Sequence, residues 1–215
     1  MAPATGPKFG MMAPVLVNDD VEVVAFLLDR EPDIIRELGF CLSEDERRRA
    51  GRLRLERDRS RFIATRGRLR LLLASKLAIP PPEVELEYGP QGKPHLSRRM
   101  PGQDLRFSVS RSGNVSAIAL SYTREVGIDI EEVVPVPEAD DIAALCFSTS
   151  EYGSYVALRP EDRLNGFLRR WTQLEAVAKA LGCGLGHSIR LEEWDWTAHT
   201  FLPNPGYIGT VVVRN

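Results

Sequence analysis

Three acidic residues and one lysine carry the most chemistry in this sequence. In Val126-Gly127-Ile128-Asp129-Ile130-Glu131 the apolar residues alternate with Gly127, Asp129 and Glu131. A β-strand sends alternate side chains to opposite faces, so this spacing predicts an apolar face of Val126, Ile128 and Ile130 and an acidic face of Asp129 and Glu131. Carboxylates at i and i+2 stand roughly 7 Å apart at Cα, near enough to share one hard cation. Further along, residues 167–181 place Phe167, Leu168, Trp171, Leu174, Ala178 and Leu181 at helical spacing in one stripe. Glu175 lies at the edge of that stripe, and Lys179 follows one turn later. If strand and helix pack together, Asp129, Glu131 and Glu175 converge as an all-oxygen site suited to Mg²⁺. The residues alone leave a plainer reading open. An exposed strand face often carries acids, and Glu175 with Lys179 is an ordinary i,i+4 pair contributing a few tenths of a kcal/mol.

The elements that must position these groups follow from local patterns. Residues 1–14 mix Pro, Gly, Ala and Met without period and read as a loose tail. Residues 15–28, rich in Val and Leu, are expected to hold a strand and the start of a helix. Ser43-Glu44-Asp45-Glu46 has the capping-box pattern, in which the Ser side chain accepts from the third backbone N–H while Glu46 reaches back. An Arg-rich helix then runs to about Leu55, and a second from about Asp58 to Leu77. The second carries Phe62, Leu69, Leu72, Leu73 and Leu77 on one side and Arg61, Arg66 and Arg70 at its flanks, until Pro80-Pro81-Pro82 ends it. A short strand at 84–88 leads into the turn Gly89 to Pro94, which presents Lys93. Residues 105–110 and 115–122 read as strands joined by a turn at Gly113-Asn114. Beyond the acidic strand, residues 141–146 and 148–158 look helical. Gly182, Gly184 and Gly186 stop the long helix, and residues 208–213 form a last strand. The fold class is α/β (α+β), with halves at 1–122 and 123–215 of similar texture and no sequence repeat.

Composition narrows the function classes. The chain has 215 residues, 43% of them hydrophobic and 27% charged, as in an ordinary globular protein. Its net charge of −2 hides eleven arginines between residues 47 and 70, set against only Glu56 and Asp58. That basic stretch lacks interleaved aromatics or a nucleic-acid motif, so no nucleic acid is expected as partner. No apolar run reaches the length of a membrane span, and no basic-then-apolar leader opens the chain. Cys41, Cys146 and Cys183 are odd in number and far apart, which points to reduced thiols in a cytoplasmic protein. His95, His187 and His199 are scattered without metal-binding spacing. The glycines from 182 to 186 follow a helix rather than a strand, unlike a dinucleotide loop. Trp194 and Trp196 alternate as in a strand and read as packing.

Six motifs then occur in order: Leu42-Ser43-Glu44-Asp45-Glu46-Arg47; Arg61-Phe62-Ile63-Ala64-Thr65-Arg66; Gly92-Lys93-Pro94; Phe107-Ser108-Val109-Ser110-Arg111-Ser112-Gly113; Gly127-Ile128-Asp129-Ile130-Glu131; and residues 171–182, beginning Trp171-Thr172-Gln173-Leu174-Glu175. Together they resemble the larger, pseudo-dimeric 4′-phosphopantetheinyl transferases, across residues 42 to 186. The resemblance implies two similar α/β halves in a pseudo-twofold arrangement, with coenzyme A and Mg²⁺ in the cleft between them. It implies transfer of the phosphopantetheine arm to a serine of an apo acyl or peptidyl carrier protein, with release of 3′,5′-ADP, by a monomer. By the same resemblance Asp129, Glu131 and Glu175 are metal ligands, Glu175 is also the base, and Lys179 meets the phosphates. Lys93, Arg61, Arg66, Ser110 and Arg111 stand at coenzyme A-contacting positions.

Two positions depart from the family pattern. Arg111 stands where the motif usually has His between two serines, and Leu174 where Lys usually precedes the acid. Arg can meet a phosphate bidentately and without a titratable step, though with different reach. Leu174 falls inside the apolar stripe and brings no cation. These departures keep a second reading open, a degenerate relative that holds coenzyme A or a carrier protein without efficient turnover.

Overall fold

A computed structural model describes residues 15–18, 21–183 and 195–215. In chain order these form β1 (Val15–Asn18), β2 (Val21–Leu27), α1 (Pro32–Phe40), α2 (Glu44–Gly51), α3 (Glu56–Leu77), β3 (Leu86–Tyr88), β4 (Pro94–Leu96), β5 (Arg106–Ser112), β6 (Val115–Ser121), β7 (Val126–Glu132), α4 (Ala139–Cys146), α5 (Thr149–Val156), α6 (Pro160–Leu181), β8 (Trp196–Phe201) and β9 (Tyr207–Arg214). The fold is mixed α/β. Its strands pair antiparallel into a sheet of order β1-β2-β6-β5, a small hairpin β3-β4 and a second sheet of order β7-β9-β8. Among the described residues no helix is long and apolar enough to cross a membrane.

Strand periodicity builds the layers. Val24 and Phe26 of β2, with Ile118 and Leu120 of β6, face a core completed by Leu38 of α1 and Leu69, Leu72 and Leu73 of α3. Val21, Val23 and Ala25, with Val115, Ala117 and Ala119, face the other way, onto Val126, Ile128 and Ile130 of β7 and Val211 and Val213 of β9. Both faces of β2 and β6 are thus covered, which is why these strands read as nearly continuous apolar runs. On the far side of the second sheet, Ala176, Val177 and Ala180 of α6 meet Val212. Phe167, Leu168 and Leu174 of α6 pack instead with Ala143 of α4 and Tyr155 of α5. The order of layers is α3, first sheet, second sheet, α6.

Several expectations from sequence shift. Residues 15–28 hold two strands and no helix start, because β2 is fully paired to β6 from Val21↔Ser121 to Leu27↔Val115. The capping box of α2 forms, with the Ser43 hydroxyl accepting from the Glu46 N–H and Glu46 accepting from the Ser43 N–H, but the helix stops at Gly51. α6 begins at Pro160, two turns earlier than the apolar stripe indicates. Pro at the first helical turn with Glu161 and Asp162 beside it is the start signal there. α3 ends before the prolines, at Ala78 in the left-handed region (φ 55°). Gly182 (φ 67°) caps α6, while Gly184 and Gly186, together with His187 and Trp194, lie outside the described residues. Arg70 is not at a solvated flank. It is buried in an ion pair with Glu46 and donates to the carbonyls of Pro81 and Val84 at 2.9 Å each. Arg68 is fully buried, its guanidinium 4.8 Å from the centre of the Phe26 ring, and burial pushes its pKa down to about 10.

Candidate active site

The acidic face of β7 looks onto α6. Gly127, Asp129 and Glu131 share that face, and the first of them sets how closely the helix can approach. A Cβ on Gly127 would lie 1.9 Å from the Ala176 carbonyl oxygen and 2.7 Å from the Ala180 nitrogen. Strand and helix backbones therefore touch one turn from Lys179. The absent side chain lets Glu175 and Lys179 reach the strand.

Asp129 is 2% exposed. Its Oδ1 accepts from the Lys179 ammonium at 2.5 Å and from the Ser110 hydroxyl at 2.8 Å. Lys179 Nζ also donates to Ser110 Oγ at 2.9 Å, which closes a triangle of three polar groups. The other oxygen, Asp129 Oδ2, is buried without a hydrogen-bond partner. Glu131 accepts from the Ser112 hydroxyl at 2.7 Å, and the Trp171 indole beside it favours its charged form. Burial raises all three carboxyl pKa values above the ordinary range. For Glu175 the neighbouring charges of Asp129 and Glu131 raise it further, against the pull of Lys179. The three acids thus share one electrostatic neighbourhood, crowded with like charge.

They do not form a closed cage. Among the described residues no group of three or more His, Cys, Asp or Glu side chains is set to hold a metal ion as it stands. As the structure stands, the cation against Asp129 is the Lys179 ammonium, and the Glu131 carboxylate is held by Ser112. The unpartnered, buried Asp129 Oδ2 remains an anionic acceptor with nothing to accept from, and an oxygen donor of that kind fits a hard divalent cation.

The other residues singled out in the sequence spread around this centre. Lys93, on the β3–β4 turn, donates to the Ala180 carbonyl at the end of α6 (2.8 Å), with Glu125 at 3.6 Å; burial lowers its pKa. It lines an open cavity of about 890 Å³ with His95, Arg106, Phe107, Gly182 and Trp196. Arg111 is exposed and follows the parity of Phe107 and Val109, so it lies on the opposite face of β5 from Ser110. Arg66 sits over the Tyr88 ring at 5.6 Å. Arg61 forks onto both oxygens of Asp29 at 2.7 Å each and donates to the Gly113 carbonyl at 2.9 Å, which anchors the β5–β6 turn. Leu174 is buried at 2% exposure, inside the apolar stripe as its spacing indicates.

Sequence reasoning passed over Ser108, Ser112 and the polar end of Trp171. The signal was present as serines at i, i+2 and i+4 of one strand, alternating with Phe107, Val109 and Arg111.

Comparison with known proteins fits this geometry. Residues 32–123 match the family model described as 4′-phosphopantetheinyl transferase, N-terminal, and residues 125–205 match that of the 4′-phosphopantetheinyl transferase superfamily. 4′-Phosphopantetheinyl transferase HetI of Nostoc sp. is 36% identical over 178 residues, covering 83% of this chain and 74% of its own. 4′-Phosphopantetheinyl transferase AcpT of Escherichia coli is 36% identical over 144 residues, 67% of each chain. The human L-aminoadipate-semialdehyde dehydrogenase-phosphopantetheinyl transferase is 30% identical over 162 residues, 72% of this chain and 52% of that one. The protein is a transferase with a buried acid–lysine centre on a mixed α/β fold. It belongs to the 4′-phosphopantetheinyl transferase superfamily.

Proposed function

We propose that the protein, as a cytoplasmic monomer, transfers the 4′-phosphopantetheine arm of coenzyme A to a serine of an apo acyl or peptidyl carrier protein, with Mg²⁺, releasing 3′,5′-ADP. The observation that carries this reading is the meeting of Asp129, Glu131, Glu175 and Lys179 where β7 and α6 touch. Cleaving a pyrophosphate develops negative charge on phosphoryl oxygens, so positioned cations and a base do most of the catalytic work. Asp129, Glu131 and Glu175 would hold Mg²⁺, which when bound neutralises charge on the pyrophosphate. Mg²⁺ usually takes only one or two carboxylates and completes its shell with phosphate oxygens and water, so an unclosed trio suits an ion that arrives with its nucleotide.

Glu175 is well placed as base. It lies half-buried beside Asp129 and Glu131, on the helix turn that also carries Lys179, where it would take the serine proton directly or through water. Lys179 moves from Asp129 to steady charge on the departing 3′,5′-ADP. Lys93, Ser110, Arg66 and Arg111 contribute to coenzyme A binding, and Arg61 would do so only by releasing the Asp29 fork. The halves 1–122 and 123–215 are similar units about a pseudo-twofold axis, with the site in the cleft between them. In support, each contains a 22-residue helix laid on one face of a sheet.

Buried Leu174 favours one rival, a relative that binds coenzyme A without efficient turnover, since no second cation comes from that turn. Intact-mass spectrometry of an apo carrier protein incubated with coenzyme A and Mg²⁺ separates the two. The transferase reading expects one added arm, lost when Glu175→Ala replaces the parent. An unchanged carrier mass, with calorimetry still detecting coenzyme A, establishes the rival.

A further inference from the structure

Strand β5 is the edge of the first sheet and β7 the edge of the second. They lie side by side, and serine hydroxyls join them. Ser108 Oγ accepts from the Ile128 N–H at 3.1 Å, Ser110 Oγ from the Ile130 N–H at 3.3 Å, and Ser112 Oγ from the Glu132 N–H at 3.1 Å. The steps are two residues on each strand, so every rung uses the same face of β5. Two of these hydroxyls also donate their own protons to a carboxylate of β7. That of Ser110 goes to Asp129 Oδ1 at 2.8 Å, and that of Ser112 to Glu131 Oε2 at 2.7 Å. Opposite Ser108 the corresponding residue is Gly127, which has no side chain to receive one.

We infer that Ser112 is a positioning residue for Glu131: its hydroxyl, fixed in direction by the Glu132 N–H, sets the orientation in which that carboxylate is offered to the metal. A glutamate has three rotatable bonds, and an unheld carboxylate here would sample several directions. Ser112, itself held by the Glu132 N–H, fixes it from β5. Groups that orient a metal-ligating carboxylate typically change metal affinity about 10- to 100-fold when removed. Ser108 occupies an equivalent rung without a carboxylate, and so supplies an internal comparison.

The inference rests on the metal assignment proposed above, and the test separates the two. Coenzyme A binding is titrated calorimetrically with and without Mg²⁺ for the parent, Ser112→Ala, Ser112→Thr and Ser108→Ala, and thermal midpoints are recorded for each. The Mg²⁺-dependent gain in affinity is expected to fall about 10-fold or more in Ser112→Ala. It should return in Ser112→Thr, which keeps the hydroxyl, and persist in Ser108→Ala even as that variant melts earlier. Equal gains in Ser112→Ala and the parent overturn the inference. So does an equal loss in Ser108→Ala, which would make the rungs purely structural. A parent protein whose coenzyme A binding ignores Mg²⁺ overturns the metal assignment itself, and this inference with it.

Discussion

The side chains of the site are arranged at the expense of stability. Glu175 sits half-buried beside Asp129 and Glu131, with a single ammonium among three acids. Replacing it by neutral Gln removes like-charge repulsion and the desolvation of a carboxylate. In the free protein Glu175→Gln is expected to gain about 1 kcal/mol, in the manner of active-site neutralisations, read as a thermal midpoint about 2–4 °C higher. Transfer to a carrier protein should fall about 10²- to 10⁴-fold in the same variant. A midpoint that drops instead would mean that Glu175 is held by favourable contacts and is not a strained catalytic group. The arginines show how little residue type says about role. Arg61 anchors a turn through Asp29, Arg70 pairs with Glu46 in the interior, and Arg68 lies against Phe26, although all three belong to one stretch that reads as a basic surface. Sequence identifies the charge; the partner, thirty-two positions away in the case of Asp29, comes from folding.

Among elements, the contact between β7 and α6 decides whether the site exists. The helix carries Glu175 and Lys179, the strand carries Asp129 and Glu131, and Gly127 is where their backbones meet. Gly127→Ala would place a methyl 1.9 Å from the Ala176 oxygen, so the helix must retreat along the turn that bears the site. The expected cost is about 1–3 kcal/mol or more, seen in denaturant unfolding, together with loss of transfer, because both helix residues move off the strand. Unaltered transfer in a stable variant would show that this close approach does not position the site. Both elements were readable in advance, since period-two alternation fixes the faces of β7 and the 3.6-residue stripe fixes those of α6. The start of α6 is less so, because Leu164 is the one large apolar side chain in its first two turns. There only Pro160 and the acids after it mark the helix.

For the molecule as a whole, stability at alkaline pH is linked to the small α4–α5 corner. The Tyr155 hydroxyl donates to Asp140 Oδ1 at 2.5 Å, and burial, then Asp140, pushes its pKa up to about 12 from 10.0. The folded value is raised, so this contribution to stability is complete below about pH 10 and lost as pH climbs toward 12. Unfolding midpoints of the parent and Tyr155→Phe should therefore converge across that window; a constant difference would deny the linkage. At this scale, residue order is enough for what is local. The caps, the turn at Gly113-Asn114, the strand faces and the acid–helix motif all follow from backbone and side-chain preferences within a few residues. Tertiary structure alone decided which edges adjoin. It set three serines of β5 against the N–H groups of β7, brought Lys179 onto Asp129, and buried two arginines, because such pairings depend on how whole layers pack and no short-range pattern encodes them.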